Sequence, residues 1–331
     1  MLKLPAFLRN IFGTHGEPQA KPLEAPVFVT GCMRSGTTFL VDKMASHPQL
    51  LKIGVELNKV WNDIGGAPIG EVCAHRTAAD ASPEYTYQLA RYFADFIKDS
   101  QTLKRKAMRR YAKYYHGLGR ASYDWAHIVP VNKSPHLMNK LGYVGALFPN
   151  STLILIVRDI YSHSASMKIH FDKWYAKDGR TYFMEEDHKL CYSQTYDAPP
   201  AGNRAYPGDF SIIPELWMRM NAVAFEEFES AEFRHKIVVK YEDLVMHQKE
   251  TLGALFQALG LRDEHSAEAR AIAAQATSLV NTTTKGNPLD KWKKQLAPEE
   301  IAAIDATIEA QRERYAFIQR ELEDKKLNIK A

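Results

Sequence analysis

The sequence predicts an α/β fold in which a P-loop-type central parallel sheet is flanked by helices on both faces. Short, continuously apolar and β-branched runs predict strands buried on both faces, at residues 26–30, 152–157 and 236–240. Each run is followed by a polar turn and a helical pattern, at residues 37–46, 160–170 and 246–259. Strands that alternate with helices in this way are typical of parallel βαβ units.

Length and charge limit the kind of molecule. The chain has 331 residues, and we expect an N-terminal extension over residues 1–24 and one domain over residues 25–325. A net charge of +4 is too small to predict nucleic-acid binding, so no nucleic-acid partner is expected. The three scattered cysteines form no CxxC pair and predict neither a zinc site nor a disulfide framework. Reduced thiols are typical of a cytoplasmic protein.

The first residues raise the question of a membrane. Apolar side chains in residues 1–13 are interrupted by Pro5, Arg9 and Asn10, and no apolar run approaches the roughly 18 residues that span a bilayer. A short helix resting peripherally on a membrane stays open beside a terminus that docks on the core. A homodimer is also left open.

The remaining segments predict two helices and one irregular region. Residues 83–116 and 298–323 have the apolar spacing of amphipathic helices. Residues 172–211 are rich in Tyr, Gly and Pro without periodicity, and we expect an acceptor-side loop region there, with disorder as the alternative. Some aromatic residues could stack on an acceptor or pack in the core: Tyr182, Tyr192, Tyr196 and Trp217.

One glycine-rich stretch carries the strongest chemical signal. Residues 31–40, GCMRSGTTFL, follow a predicted strand and open a predicted helix, which directs backbone N–H groups and the helix dipole at an anion. Gly31 and Gly36 have the spacing of a Walker-type GxxxxG loop. However, Thr37 stands where an ATP- or GTP-hydrolysing loop carries lysine, and the positive charge is inside the loop, at Arg34. The loop therefore predicts a site for a phosphate-type group, but one that lacks the lysine with which Walker-type loops bind a triphosphate.

The stretch RSGTTFL resembles the 5′-phosphosulfate-binding loop of the PAPS-dependent sulfotransferases, with Met33 in place of their usual proline. The resemblance implies the co-substrate 3′-phosphoadenosine 5′-phosphosulfate (PAPS), no metal, and a loop contact through Arg34, Ser35, Gly36, Thr37 and Thr38. A second stretch, RDIYSHSASMK (158–168), matches the family's 3′-phosphate motif through Arg158 and Ser166. A guanidinium that forks onto a phosphate, with a hydroxyl beside it, suits that role physically.

Two further matches extend the resemblance to most of the chain. KYEDL (240–244) implies that Tyr241 lines the nucleotide site. TKGNPLDKWKKQL (284–296) resembles the late loop that closes over the adenosine, and its matching residues are Lys285, Gly286, Lys291 and Trp292. Its spacing fits neither of two family branches perfectly, so which lysine contacts phosphate stays open. The segments NKSP, LFPNS and LIVRD resemble the tyrosylprotein and bacterial branches.

The reaction implied by the resemblance is in-line displacement at sulfur by a hydroxyl or amine acceptor, by analogy with phosphoryl transfer. Arg34 and Lys133 match family residues that contact the transferred group. Two residues compete as the general base. Glu56 matches the glutamate of the protein-tyrosine branch with a one-residue offset, and His136 lies 22 residues before Arg158, as the base histidine of cytosolic members does. A histidine accepts a proton near neutral pH, whereas a carboxylate needs burial or an acidic acceptor.

Two other functions are kept as alternatives. A P-loop kinase-like nucleotide enzyme predicts magnesium-dependent ATP binding, and a non-catalytic nucleotide-binding protein has no need of a base. No HExxH motif or paired histidine spacing predicts a metal site, and Ser-His-Asp catalysis lacks its strand-elbow context. The acceptor stays open among a carbohydrate, a lipid head group, a small-molecule alcohol and a protein tyrosine, because fold-level analogy does not choose among them.

Overall fold

The structure is a computed structural model that describes residues 25–69, 73–102, 123–184, 193–196, 199, 201–262 and 289–329. Its strands are β1 (Val27–Thr30), β2 (Leu50–Lys52), β3 (Val129–Lys133), β4 (Thr152–Val157), β5 (Thr181–Phe183), β6 (Ser193–Thr195), β7 (Ala205–Tyr206) and β8 (His235–Lys240). Its helices are α1 (Thr37–Met44), α2 (Asn58–Asp63), α3 (Pro83–Thr102), α4 (Leu141–Leu147), α5 (Ile160–Asp178), α6 (Ile212–Phe228), α7 (Tyr241–Met246), α8 (Gln248–Ala258), α9 (Trp292–Gln295), α10 (Pro298–Ala310) and α11 (Arg312–Lys325).

Five parallel strands form the central sheet, in the order β2–β3–β1–β4–β8. Strand β1 lies in the middle, where Val27 pairs with Val131 of β3 on one side and Thr152 of β4 on the other. Parallel neighbours need a crossover segment between them, and the helices that follow each strand supply these crossovers. The predicted α/β fold with a parallel sheet is thereby confirmed.

Alternate residues of each strand serve two separate hydrophobic cores. Phe28 of β1 packs into the larger core, which includes side chains of α3, α4, α5 and α6. Its neighbours Val27 and Val29 point the other way and pack with Leu40 of α1 and Phe256 of α8. Because side chains alternate across a strand, continuously apolar strands can bury both faces. Helices therefore cover both faces of the sheet, as the sequence predicts.

Most predicted elements are present in the structure, with differences in bounds and continuity. The strands predicted at 26–30, 152–157 and 236–240 correspond to β1, β4 and β8 within one residue. The three-residue strand β2 was not predicted, because LLK is too short to show a period. The helix expected over 83–116 is confirmed for Pro83–Thr102, and residues 103–122 lie outside the described residues. The helix expected over 298–323 is broken at Gln311.

The expectation of an irregular segment over residues 172–211 needs correction. Helix α5 continues to Asp178 and ends where Gly179 adopts a left-handed φ of 74°. The strands β6, β5 and β7 then form a small antiparallel sheet. Tyr182 of this sheet stacks on Phe171 of α5, with ring centroids 3.6 Å apart, so aromatic packing organises a segment that lacks polar–apolar alternation.

One aromatic candidate for stacking on an acceptor is a core residue instead. Trp217 is 0% exposed and donates from its indole nitrogen to the backbone oxygen of Arg158, so core packing explains it without an acceptor. Tyr182 is 1% exposed, but it also contributes to the wall of the cavity at the sheet edge. Tyr196 is exposed, whereas Tyr192 lies outside the described residues.

No helix in the described ranges has both the length and the hydropathy that crossing a bilayer requires. Residues 1–13, for which a membrane contact is an open prediction, lie outside the described residues.

Candidate active site

The candidate site lies at the carboxyl-terminal edge of the central sheet, where open α/β sheets usually bind ligands. The loop of residues 31–36 follows β1, Lys133 ends β3, Arg158 follows β4 and Tyr241 follows β8. These segments surround one cavity of 570 Å³. Its wall includes all the predicted site residues that the structure describes except Ser35, namely Arg34, Gly36, Thr37, Thr38, Glu56, Lys133, His136, Arg158, Ser166, Tyr241, Lys291 and Trp292. The fold thus brings together motifs that are far apart in the sequence.

The glycine-bracketed loop has the backbone geometry of an anion-binding turn. Arg34 and Gly36 have positive φ angles of 73° and 97°, and helix α1 begins directly after them. Its first free N–H groups therefore point toward the cavity side of the loop. The Ser35 hydroxyl is buried and has no hydrogen-bond partner among the described residues. This hydroxyl does not line the cavity, so the backbone N–H groups at the start of α1 are the loop's donors to an anion there.

Two arginines stand side by side in the cavity. Arg34 Nε donates to Ser166 Oγ over 3.3 Å, and Arg158 Nη1 donates to the backbone oxygen of Arg34 over 3.1 Å. In the described part of the chain neither guanidinium forms an ion pair with a carboxylate. Arg34 is at the open side of the cavity, yet burial and the charge of Arg158 lower the pKa of its guanidinium. Two adjacent, unneutralised cations create a strong local preference for an anionic ligand.

Tyr241 supports this pair from β8. Its buried ring lies under the Arg158 guanidinium, whose central carbon is 4.5 Å from the ring centroid. The same ring fills the space beside Gly36, where a Cβ atom would lie 2.5 Å from Tyr241 Cδ2. Glycine at this position therefore lets the loop approach the ring closely. Tyr241 lines the cavity, but it also fixes Arg158 and the loop relative to each other.

The candidate reacting groups form a second cluster. Lys133 Nζ lies 2.6 Å from Glu56 Oε1, and the two side chains are 2% and 32% exposed. Burial lowers the pKa of Lys133, while the charge and hydrogen bond of Glu56 act in the opposite direction. Burial would raise the pKa of Glu56, but the charge and hydrogen bond of Lys133, followed by the charge of His136, outweigh it and lower the pKa. The two base candidates are thus electrostatic neighbours on one cavity wall.

The late loop contributes only its second half to the described site. Lys291 and Trp292 lie on the cavity wall, and Trp292 stacks on Tyr161 of α5 with ring centroids 4.7 Å apart. Burial and the charge of Arg158 lower the pKa of Lys291, which indicates that this lysine adds to the same positive region. Lys285 and Gly286, the other two predicted residues of this loop, lie outside the described residues.

A family model described as "Sulfotransferase family" matches residues 26–265, which is most of the chain and includes both arginines and the Lys133–Glu56 pair. The chain belongs to the sulfotransferase family. This membership agrees with the resemblance that the loop, the Arg158 motif and the Tyr241 motif predict. A search of curated proteins gives no significant match.

Solved structures with overall similarity to this sulfotransferase are also found. The sulfotransferase domain of the curacin biosynthetic pathway is 18% identical with a TM-score of 0.47, over 87% of this chain and 99% of that chain. The sulfotransferase domain of the Synechococcus PCC 7002 olefin synthase is 16% identical with a TM-score of 0.45, over 87% and 96%. A mouse sulfotransferase, SULT7A1, complexed with PAP is 11% identical with a TM-score of 0.42, over 91% and 88%. These values are low, and the family assignment rests on the family model.

Sequence reasoning missed the residue that supports the loop from below. His163 is fully buried in α5, and its Nε2 lies 2.9 Å from the backbone oxygen of Met33. Burial and the charge of Arg158 lower the pKa of His163 to about 3, so the ring is neutral and Nε2–H donates to Met33. The sequence did contain a signal for this residue. His163 lies five residues after Arg158 and one helix turn after Asp159, the residue that caps α5.

A further group of cavity residues was not predicted: the first two lie at the end of the helix predicted over 160–170, and the others lie in the stretch 172–211 that was expected to be irregular. It comprises Ile169, His170, Trp174, Arg180 and Gln194. The Arg180 guanidinium lies over the Trp174 ring at 4.6 Å, and it donates to Asp178 and Gln194. These contacts hold the end of α5 against the small antiparallel sheet and complete the far wall of the cavity.

The described residues contain no group of three or more His, Cys, Asp or Glu side chains that could hold a metal ion. The arrangement as a whole can bind an elongated, strongly anionic molecule, with Arg34, Lys133, Arg158 and Lys291 as cations and Glu56 as the carboxylate among them. A cavity in which cations outnumber carboxylates concentrates anionic ligands.

Proposed function

We propose that the protein transfers the sulfuryl group of PAPS to a hydroxyl or amine acceptor by in-line displacement. The observation that carries the proposal is the adjacent pair Arg34 and Arg158, which lacks carboxylate partners among the described residues and lies beside a loop without the Walker lysine. A ligand with phosphate-type groups at two ends would neutralise both guanidinium groups at once. PAPS carries such groups and supplies the sulfuryl group together with its nucleotide leaving group.

In this proposal the two arginines hold different ends of the nucleotide. Arg158 and Ser166 hold the 3′-phosphate, while Arg34 and the loop of Ser35, Gly36, Thr37 and Thr38 hold the 5′ end. The ion-pair-free guanidinium groups fit these roles. Because Arg34 donates to Ser166, nucleotide binding has to replace that hydrogen bond by contacts to phosphate oxygens.

Tyr241, Lys291 and Trp292 complete the nucleotide site in the proposal, with Lys285 and Gly286 from the same late loop. Tyr241 holds Arg158 in place, and Lys291 adds positive charge near it. The indole of Trp292, already stacked on Tyr161, closes this side of the cavity. The catalytic unit in this proposal is the predicted single domain over residues 25–325.

Lys133 and Arg34 are proposed to neutralise the charge on the oxygens of the transferred group, which is the principal electrostatic task in such a displacement. The Lys133 ammonium forms an ion pair with Glu56. Once Lys133 turns to sulfuryl oxygens, the Glu56 carboxylate loses the partner that lowers its pKa and becomes a better proton acceptor. His136, on the same wall, is the second candidate base.

Variants of the two base candidates separate them. Glu56→Gln and His136→Gln are compared in a labelled-sulfate transfer assay. The variant that removes the base should lower kcat by about 10²–10⁴-fold and preserve the affinity for the bisphosphate. The other variant should lose far less. Comparable small losses in both variants would contradict a general base at either position.

Calorimetry with adenosine 3′,5′-bisphosphate and AMP tests the nucleotide assignment. Arg158→Ala should weaken the bisphosphate by about 10–100-fold, the value of one or two charged hydrogen bonds, and AMP by much less. Arg34→Ala should weaken both nucleotides similarly, because both carry the 5′-phosphate. Arg312→Ala, an exposed helix substitution, is the matched control and should change neither. Equal losses of the two nucleotides in Arg158→Ala would contradict the 3′-phosphate assignment.

A further inference from the structure

Helix α5 (Ile160–Asp178) runs along the cavity, and its cavity-facing residues change character along the helix. Ser162 and Ser166 lie at the arginine end, whereas Ile169, His170 and Trp174 follow toward the other end. With a rise of about 1.5 Å per residue, His170 lies about 6 Å and Trp174 about 12 Å beyond Ser166 along the helix. His170 and Trp174 therefore lie farther along the cavity than Ser166, at the end where Arg180 lies over the Trp174 ring.

His170 is the polar member of this outer row. Its half-buried ring packs against Phe171 and against the edge of Trp174, with ring centroids 6.2 Å apart in both cases. Within the part of the chain that the structure describes, its two ring nitrogens take part in no hydrogen bond. The ring is thus fixed by apolar contacts, while its nitrogens are left for a molecule in the cavity.

The charge around His170 decides which form of the ring faces the cavity. Arg34 of the loop, Lys173 on the same helix and Arg180 before β5 oppose its protonation, and Glu56 favours it. Burial, followed by the charge of Arg34, lowers the pKa of His170 to about 4. At neutral pH the ring is therefore an uncharged imidazole with one N–H donor and one acceptor nitrogen.

We propose that His170 binds the acceptor, and that its ring N–H donates a hydrogen bond to the acceptor oxygen that attacks sulfur. The proposal rests on the proposed sulfuryl transfer and deepens it. An alcohol oxygen donates one hydrogen bond and accepts two. Its O–H faces the general base, one lone pair accepts from His170, and the other lone pair points at sulfur.

The bonds balance in this arrangement. The new oxygen–sulfur bond forms as the bond from sulfur to the bridging oxygen of the nucleotide breaks, and the hydroxyl proton goes to the base. His170 keeps its own proton throughout. An uncharged donor fits this position, because it orients the oxygen while withdrawing less electron density from it than a cation does.

The neighbours of His170 also indicate a class of acceptor. Ile169 is 46% exposed and lines the cavity beside Trp174, and Ile69 and Pro135 add further apolar surface to its wall. Exposed apolar side chains inside a binding cavity favour a ligand with a matching apolar body. The acceptor that fits is a hydroxyl group on an apolar or aromatic skeleton.

Nuclear magnetic resonance tests the contact without turnover. The His170 ring resonance, assigned by its loss in His170→Gln, is followed in the complex with adenosine 3′,5′-bisphosphate during titration with phenol or toluene. Phenol should shift this resonance more than toluene, which has the same ring without the oxygen, and exposed His235 should not respond. Equal shifts, or none, overturn the inference. Failure of the bisphosphate to bind would instead overturn the proposed function.

Transfer of labelled sulfate to 2-naphthol tests the role in the reaction. His170→Phe keeps a ring but removes the N–H, and it should lower kcat/KM for naphthol by about 10–100-fold with unchanged bisphosphate affinity. His170→Asn supplies an N–H donor again and should recover most of this loss. Three results would overturn the inference. The first is an equal loss of kcat/KM in the two variants. The others are a wild-type protein that binds the bisphosphate but transfers no sulfate to naphthol, and transfer to methyl glucoside that is faster than transfer to naphthol.

Discussion

Lys133 is an almost completely buried cation, and its partner Glu56 reaches solvent at the cavity wall. An ammonium group in such a place needs a hydrogen-bonded anion, because burial alone disfavours its charge. Glu56 supplies that anion at 2.6 Å. Removal of Glu56 would leave the Lys133 ammonium buried without its counter-charge, so one contact matters both for stability and for the position of two proposed reacting groups.

Glu56→Gln should lower the free energy of unfolding at pH 7 by about 1–3 kcal/mol, since it leaves the Lys133 ammonium without its anion. Folding lowers the pKa of Glu56, so its contribution is present above the ordinary value of 4.5 and is lost as the pH falls through the lowered value. Urea denaturation of both proteins should therefore show a difference at pH 7 that shrinks below pH 4.5. A difference that persists in acid would contradict this explanation.

His163 adds a second loss of stability toward acid. The unfolded chain protonates this histidine near 6.5, whereas burial and Arg158 lower the pKa to about 3 in the folded protein. Stability therefore falls as the pH drops from 6.5 toward 3, by about 2 kcal/mol at pH 5 from this group. His163→Gln keeps an N–H for Met33 but does not titrate, so urea denaturation should show a smaller loss between pH 7 and pH 5. An unchanged pH dependence would contradict the assignment.

At the scale of elements, the turn between β1 and α1 depends on a close approach of backbone and ring. Gly36→Ala combines a φ of 97° with a Cβ atom 2.5 Å from the Tyr241 ring. We expect a loss of about 2–4 kcal/mol in the free energy of unfolding, together with weaker bisphosphate binding. Gly179→Ala is the matched control, because its φ is 74° but no atom lies within 4 Å of the added Cβ. It should cost about 1 kcal/mol and leave binding unchanged. Equal costs would mean that the ring contact is unimportant.

The elements that position the proposed nucleotide-binding residues are easier to predict from the sequence than those that position the proposed acceptor-binding residues. Arg34, Arg158 and Tyr241 follow buried apolar strands, whose short runs are visible without any partner in view. His170 is the last residue of the helix predicted over 160–170, whereas Trp174 depends on α5 continuing to Asp178, and that continuation is set by Phe171 stacking on Tyr182. Such packing between segments is not encoded in local periodicity, so the reading of 172–211 as irregular failed there.

For the whole molecule, the decisive property is that segments far apart in the sequence meet at one edge of the sheet. Arg34 and Ser166 are 132 positions apart and form a hydrogen bond, and Lys133 and Glu56 are 77 apart and form an ion pair. The motif order along the chain predicts the edge at which they lie, since parallel strands end together. It does not predict their direct contacts, because these depend on side-chain directions that only the packed structure fixes.

The central claim, that the site binds the nucleotide of a sulfuryl donor, is tested most directly by calorimetry. The wild-type protein is titrated with adenosine 3′,5′-bisphosphate in the absence of metal, and separately with ATP and magnesium. We expect the bisphosphate to bind at least about tenfold more tightly than ATP with magnesium. The reasons are the two arginines without carboxylate partners in the described cavity and the loop that has Thr37 in place of the Walker lysine. This preference should appear without magnesium. Tighter, magnesium-dependent binding of ATP would contradict the sulfuryl-transfer account and favour a kinase-like nucleotide enzyme.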